Sequence, residues 1–214
     1  MVFSWFLLGV NVSFIVLIIA AILGLLQVGK SDTATRVLVG YLILTLIVEV
    51  IAKVLILNGK QNLPLLHLYT LFEFMLFSIF YVHILNIKRT IKKYVFPFLG
   101  IVSVLIVINS LFLQSVTEFN TNAKVFVGII ICLYSIVYFQ QQLSVRGNKS
   151  LNLINSGVLI YFSGSLMVFI TGGVINYLSM ESAYLIWGLN LILSIIFYLI
   201  ISYALCLNLL RKIK

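Results

Sequence analysis

Seven long apolar stretches run along the chain, separated by short polar breaks. They fall at residues 5–27, 35–57, 64–87, 94–114, 123–143, 153–178 and 183–209. Each has the roughly 20 residues of helix needed to cross about 30 Å of hydrocarbon. The breaks read KSDTATR, NGKQN, KRTIKK, QSVTEFNTN, SVRGNKS and SMES. Asn58-Gly59 and Arg146-Gly147-Asn148 are turn sequences. Pro64 suits the first turn of the third helix, where its missing N–H leaves no bond unmade, and Pro97 is expected near the start of the fourth. The pattern predicts an all-α polytopic membrane protein: one domain over residues 1–214, a bundle of seven transmembrane helices with no soluble domain.

Composition strengthens this reading. The chain is 63% hydrophobic and 9% charged, with a mean hydropathy of +1.21, against about 45–50% apolar and 25% charged in a soluble domain. Lipid has to solvate the outward faces. The net charge of +9 does not point to nucleic acid, because the basic residues gather in alternate loops. With the N-terminus outside, the cytoplasmic side holds Lys30, Arg36, Lys88, Arg89, Lys92, Lys93, Arg146, Lys149, Arg211, Lys212 and Lys214. The outer side holds Lys60 and Lys124, and Lys53 lies within a helix. Eleven against two follows the positive-inside rule. The expectation is an outside N-terminus, a cytoplasmic C-terminus and residence in the cytoplasmic (inner) membrane.

Other features change little. The start MVFSWF has no basic region and no small-residue cleavage site after the apolar run, so an uncleaved first span is expected. Cys132 and Cys206 fall within spans and read as small hydrophobes. No metal-ligand spacing, cofactor motif or phosphate loop is present in the sequence. The triplet Asn148-Lys149-Ser150 lies on the expected cytoplasmic side and is not read as a glycosylation site.

The candidate chemistry lies in the second and third spans, where Glu49, Lys53, His67 and Glu73 interrupt Leu, Ile, Val and Phe. A charge at the bilayer centre costs about 2.5–3.5 kcal/mol on insertion scales, so such groups face protein, pair, or line a polar path. Counting along the helices puts Glu49 roughly 12 Å and Glu73 roughly 13 Å below the outer end of their hairpin, with Lys53 and His67 nearer the rim. Glu49 and Lys53 are spaced i,i+4, in the favourable order for a pair. The expected pairing is therefore Glu49 with Lys53, leaving Glu73 to bind a ligand or carry a proton. Tyr69 stands one turn before Glu73. Asn11, Asn109 and Asn190 fall in the same outer half, and Asn190, Ser194, Tyr198 and Ser202 form a polar stripe on one face of the seventh span. These residues predict a polar pocket in the outer half of the bundle. No catalytic or metal-binding set emerges. Ser163-Gly164-Ser165 has no histidine on a later helix to serve as its base.

The stretch NLPLLHLYTLFEFMLFSIFY, Asn62 to Tyr81, resembles a segment of uncharacterised seven-helix inner-membrane proteins of Bacteroidota-type bacteria. The resemblance implies a small bacterial inner-membrane protein and no particular activity. The overall layout also resembles that of rhodopsins, but the seventh span has no lysine for a retinal Schiff base. The favoured expectation is a receptor-like or sensory membrane module, taking a small-molecule or lipid ligand and acting through a separate membrane or cytoplasmic protein partner. A transporter of a small solute, ion or proton is the alternative, and a structural subunit of a membrane complex the next. An intramembrane lipid enzyme lacks a nucleophile with its base.

Overall fold

A computed structural model of the chain describes residues 2–143, 148–172 and 178–213. Among these residues the chain forms seven helices, all long and apolar enough to cross a membrane. They are α1 (Val2–Leu25), α2 (Thr33–Leu57), α3 (Leu63–Ile84), α4 (Arg89–Ile108), α5 (Thr121–Gln142), α6 (Lys149–Thr171) and α7 (Met180–Ile213). A π-helical turn, Asn109–Leu113, extends α4.

Local chemistry sets the ends. Asp32 caps α2, its carboxylate accepting from the Thr35 amide at 3.3 Å. After α2, Gly59 takes φ 67°, and the amide of Lys60 donates back to the Leu55 carbonyl. That left-handed position follows from the Asn58-Gly59 turn. Pro64 sits in the first turn of α3, as its ring requires. Several bounds differ from those expected, among them three helix starts. The break KRTIKK is mostly helix, because α4 starts at Arg89 and Pro97 falls inside it. Lysine and arginine are good helix formers, and hydropathy marks only the hydrocarbon-depth part of a helix. Asn148 caps α6 by accepting from the Ser150 amide at 3.0 Å, so α6 begins at Lys149 rather than 153. Helix α7 begins at Met180, inside the expected break. The turn at Arg146-Gly147 and the glycine Gly173 lie outside the described residues.

Packing arranges six helices in a ring. Contacts run α1 to α2, α2 to α3, α3 to α5, α5 to α6, α6 to α7, and α7 back to α1. Helix α4 stands outside this ring and packs on α3. The ring encloses a core of Leu17, Leu38, Leu42, Phe77, Phe197, Ile154, Val158 and Ile201, each nearly or fully buried. Tyr41, Phe77, Phe162, Tyr161 and Phe197 pack ring against ring through its middle, with neighbouring centroids 4.6–6.2 Å apart. Polar side chains stitch helices together deeper in the core. The Tyr81 hydroxyl donates to Asn155 Oδ1 at 2.7 Å, and Asn155 Nδ2 donates to the Ser135 carbonyl at 3.1 Å. Such bonds act as glue between membrane helices.

Close packing of α1 on α2 depends on Gly24, where an added Cβ would lie 2.7 Å from a methyl of Val39. Val39 is buried and branched at Cβ, so it has little room to turn away. Gly40, one residue on, has open space. Gly24→Ala is expected to lower the thermal midpoint in detergent, the overpacking cost of about 1–3 kcal/mol exceeding the helical gain. Gly40→Ala is expected to leave the midpoint unchanged or raise it, by roughly 0.5–1 kcal/mol. Thermal denaturation followed by helicity checks both signs.

Candidate functional site

A cavity of about 300 Å³ occupies the axis of the ring, and all six ring helices line it. Phe6, Val10, Ser13 and Phe14 come from α1, and Thr45 and Glu49 from α2. Tyr69 and Thr70 come from α3, Lys124 from α5, and Tyr161 and Phe169 from α6. Helix α7 adds Trp187, Asn190, Ser194 and Tyr198, and the segment before α5 adds Phe119 and Asn120. Most of these positions lie in the first half of an odd-numbered helix or the second half of an even-numbered one, with Ser13, Phe14, Thr45, Tyr161 and Tyr198 near the middle of theirs. The cavity therefore lies toward the end of the bundle that carries the N-terminus. The buried rings of Tyr41, Phe77 and Phe197 lie beneath it.

The electrostatic centre is an ion pair between Lys124 of α5 and Glu73 of α3. Glu73 is fully buried, and the Lys124 side chain is 10% exposed. The ammonium also lies 4.9 Å from the centroid of the Tyr69 ring and 5.3 Å from that of Phe169. Aromatic faces attract a cation electrostatically, so Lys124 is held from three sides. The second carboxylate oxygen of Glu73, Oε1, is buried without a hydrogen-bond partner. Lys124 thus stands between the cavity, which it lines, and Glu73, which it covers.

This overturns the expected pairing. Among the described residues Glu49 and Lys53 form no ion pair. The Lys53 ammonium instead lies 3.5 Å from the centroid of the Phe14 ring on α1. Phe14 is within reach because α1 packs directly on α2, a contact that spacing along α2 alone does not disclose. Glu49, not Glu73, is the carboxylate that lines the cavity. Lys124, counted above as an outer-loop residue, is buried in the first turn of α5.

The remaining expected residues divide in two. Tyr69, Asn190, Ser194 and Tyr198 line the cavity, and the α7 stripe does face the axis. Ser165 donates to Asn190 Oδ1 at 2.8 Å, and the hydroxyls of Ser13 and Ser194 are 3.1 Å apart. The Tyr69 hydroxyl donates to that of Tyr41 at 3.2 Å. Asn11, Lys53, His67, Glu73 and Asn109 do not line the cavity. Asn11 is exposed on the outer face of α1. His67 is a buried tether: its Nε2–H donates to the Glu118 carbonyl at 3.1 Å, and Nδ1 is 3.0 Å from the Ser110 hydroxyl. It fastens α3 to the π turn and to the segment leading into α5. Asn109 donates to Asn120 Oδ1 at 3.3 Å, so it supports a cavity-lining residue from behind. Asn120 Nδ2 is buried and has no partner.

The cavity wall combines the carboxylate of Glu49, an exposed residue with no hydrogen bond among the described residues, one ammonium already paired, phenol and serine hydroxyls, and five aromatic rings of Phe and Trp. Its volume is at the low end for small-molecule sites, and mostly apolar walls with a few placed polar groups are typical of them. Among the described residues no group of three or more His, Cys, Asp or Glu side chains is arranged to hold a metal ion. Comparison with known proteins finds no matching family model, curated protein or solved structure. The chemistry of the site therefore has to be argued from its own residues.

Removing one partner of a buried pair leaves the other charge uncompensated and costs about 3–5 kcal/mol. Lys124→Met and Glu73→Gln are each expected to destabilise the protein strongly. The double variant, which leaves no orphan charge, is expected to recover most of the loss. A double-mutant cycle by denaturation in detergent measures this coupling. Additive losses would show that the two groups do not interact.

Proposed function

We propose that the chain is a receptor-like module of the cytoplasmic (inner) membrane, with its N-terminus outside, that binds a small molecule in the ring cavity and acts through a separate protein partner. The observation that carries this reading is the cavity itself: polar groups from six helices converge at one end, above a floor of packed rings. A solute path would need comparable polarity at both ends. The orientation rests on charge. The ends at the face carrying the N-terminus hold two basic residues, Lys60 and Lys124, against eleven on the other side.

Lys124 supplies a link from ligand to protein. It touches the cavity and holds Glu73, and so joins α5 to α3. A ligand oxygen that competes with Glu73 for this ammonium favours a state in which the two helices are differently held. A ligand shifts such an equilibrium only by its difference in affinity for the two states, and a charged hydrogen bond made in one state alone is a sufficient difference. Helix α3 ends at Ile84, shortly before the basic stretch Lys88–Lys93 that opens α4 on the opposite face, where a partner could read the change.

Mass spectrometry of small molecules released from the purified protein tests ligand binding. A compound enriched with the wild type is expected to be reduced about tenfold or more by Glu49→Gln, since charged hydrogen bonds contribute about 1.5–3 kcal/mol. It is expected to be lost from Val10→Trp, which puts an indole into the cavity. Identical profiles for all three proteins contradict the reading.

A second reading, transport of a proton or small ion, draws on the two carboxylates and two ammoniums set within the spans at Glu49, Glu73, Lys53 and Lys124. Proteoliposomes loaded with a pH-sensitive dye separate the two. The receptor reading predicts no proton flux above that of empty liposomes under an imposed gradient, and flux abolished by Glu49→Gln would replace it with transport.

A further inference from the structure

At the end of the molecule away from the cavity, α4 leaves a second, almost wholly apolar space of about 300 Å³ between itself, α3 and α5. Tyr81 and Leu85 of α3 and Tyr134 of α5 form its back, and Ile91, Val95 and Phe98 of α4 form its outer wall. Those α4 positions recur at i, i+4 and i+7, so one stripe of the helix faces the groove.

The start of the same helix concentrates positive charge. Lys88, Arg89, Lys92 and Lys93 fall within six residues, and the sequence has no acidic residue between Glu73 and Glu118. Among the described residues none of these four cations is in a salt bridge. The first turn of α4 has no acidic residue, and its N-cap, Lys88, makes no side-chain capping bond. Cations at a helix N-terminus oppose the helix dipole, so this arrangement gains from an external anion. The Lys93 ammonium lies 4.8 Å from the centroid of the Tyr94 ring, and Tyr94 lines the groove. The positive charge therefore reaches the mouth of the apolar space.

We infer that this groove is a binding site for an anionic glycerophospholipid, one acyl chain lying between α3, α4 and α5 and the phosphate held by Lys92 and Lys93. Such a site requires only a membrane-embedded chain and is independent of what the ring cavity binds. An apolar slot with the Lys93 ammonium against a lining ring, and Lys92 beside it in sequence, matches the two halves of such a lipid, and basic pockets between membrane helices select anionic headgroups.

Native mass spectrometry tests this with purified full-length protein given equal amounts of dioleoylphosphatidylglycerol and dioleoylphosphatidylcholine. The chains are identical, so only the headgroup discriminates. The wild type is expected to retain the phosphatidylglycerol about fivefold over the phosphatidylcholine, the effect of one ammonium near the phosphate. Lys92→Gln with Lys93→Gln, both at exposed positions, is expected to bring the ratio close to one. Val95→Trp, which fills the slot, is expected to lower retention of both lipids, and Ile91→Trp at the 54%-exposed rim serves where Val95→Trp does not fold. Equal retention of both lipids by the wild type overturns the proposal. So does an unchanged ratio in the lysine variant, or undiminished retention in the folded slot-filling variant. A lipid-free species of twice the mass would assign the groove to a second copy of the chain instead.

Discussion

The buried attraction between Lys124 and Glu73 is the constraint around which this bundle is arranged. Either charge alone would carry a heavy desolvation cost in a hydrocarbon-embedded core. Together they are neutral, and they join two helices that are not consecutive in sequence. Lysines near the end of a membrane helix ordinarily extend toward the headgroups. Lys124 turns inward instead, because a fully buried carboxylate and the faces of Tyr69 and Phe169 await it there. Direct contact of α3 with α5 displaces α4 from the ring. The peripheral groove lies between the displaced α4 and the two helices that meet behind it.

Charge balance then shapes what the cavity can hold. Glu49, Glu73, Lys53 and Lys124, all ionised, sum to zero, so this group of four does not demand a counter-ion. Its polar atoms are nonetheless unevenly satisfied. Among the described residues the exposed Glu49 makes no hydrogen bond, Glu73 Oε1 and Asn120 Nδ2 are buried without partners, and Lys124 is already engaged. A small molecule with both donor and acceptor atoms on an apolar body would meet these groups and the surrounding rings. Such a wall is a place for recognition, and the Lys124 contact gives recognition a route into the helix packing.

The sequence discloses some of this and hides the rest for physical reasons. Helix number and most helix ends are legible because hydropathy reports bilayer depth and because Asp32, Asn58-Gly59 and Pro64 have defined capping or turn chemistry. The inward face of α7 is legible because Asn190, Ser194 and Tyr198 repeat every four residues. The Glu73 partner is not. Helices solvated by lipid are apolar toward both lipid and protein, so their rotation and neighbour order leave little trace in the pattern. Lys124 looks like a loop lysine because it sits at the edge of its span. The one available signal is electrostatic: with Lys53 assigned to Glu49, Glu73 has no cation left, and Lys124 is the basic residue that a later span carries at the same end of the bundle. Asn11 and His67 show the converse error. Polarity at the right depth says nothing about which face a residue occupies, and the two point away from the axis or into a tether.

The contact between Lys124 and Glu73 is open to direct observation in a lipid bilayer. Solid-state NMR on protein labelled with ¹⁵N at lysine side chains and ¹³C at glutamate carboxylates reports dipolar coupling between nitrogen and carbon. A contact-range coupling that disappears in Lys124→Met and persists in Lys53→Met is the result this account predicts. A coupling that instead depends on Lys53, or none at all, would contradict it.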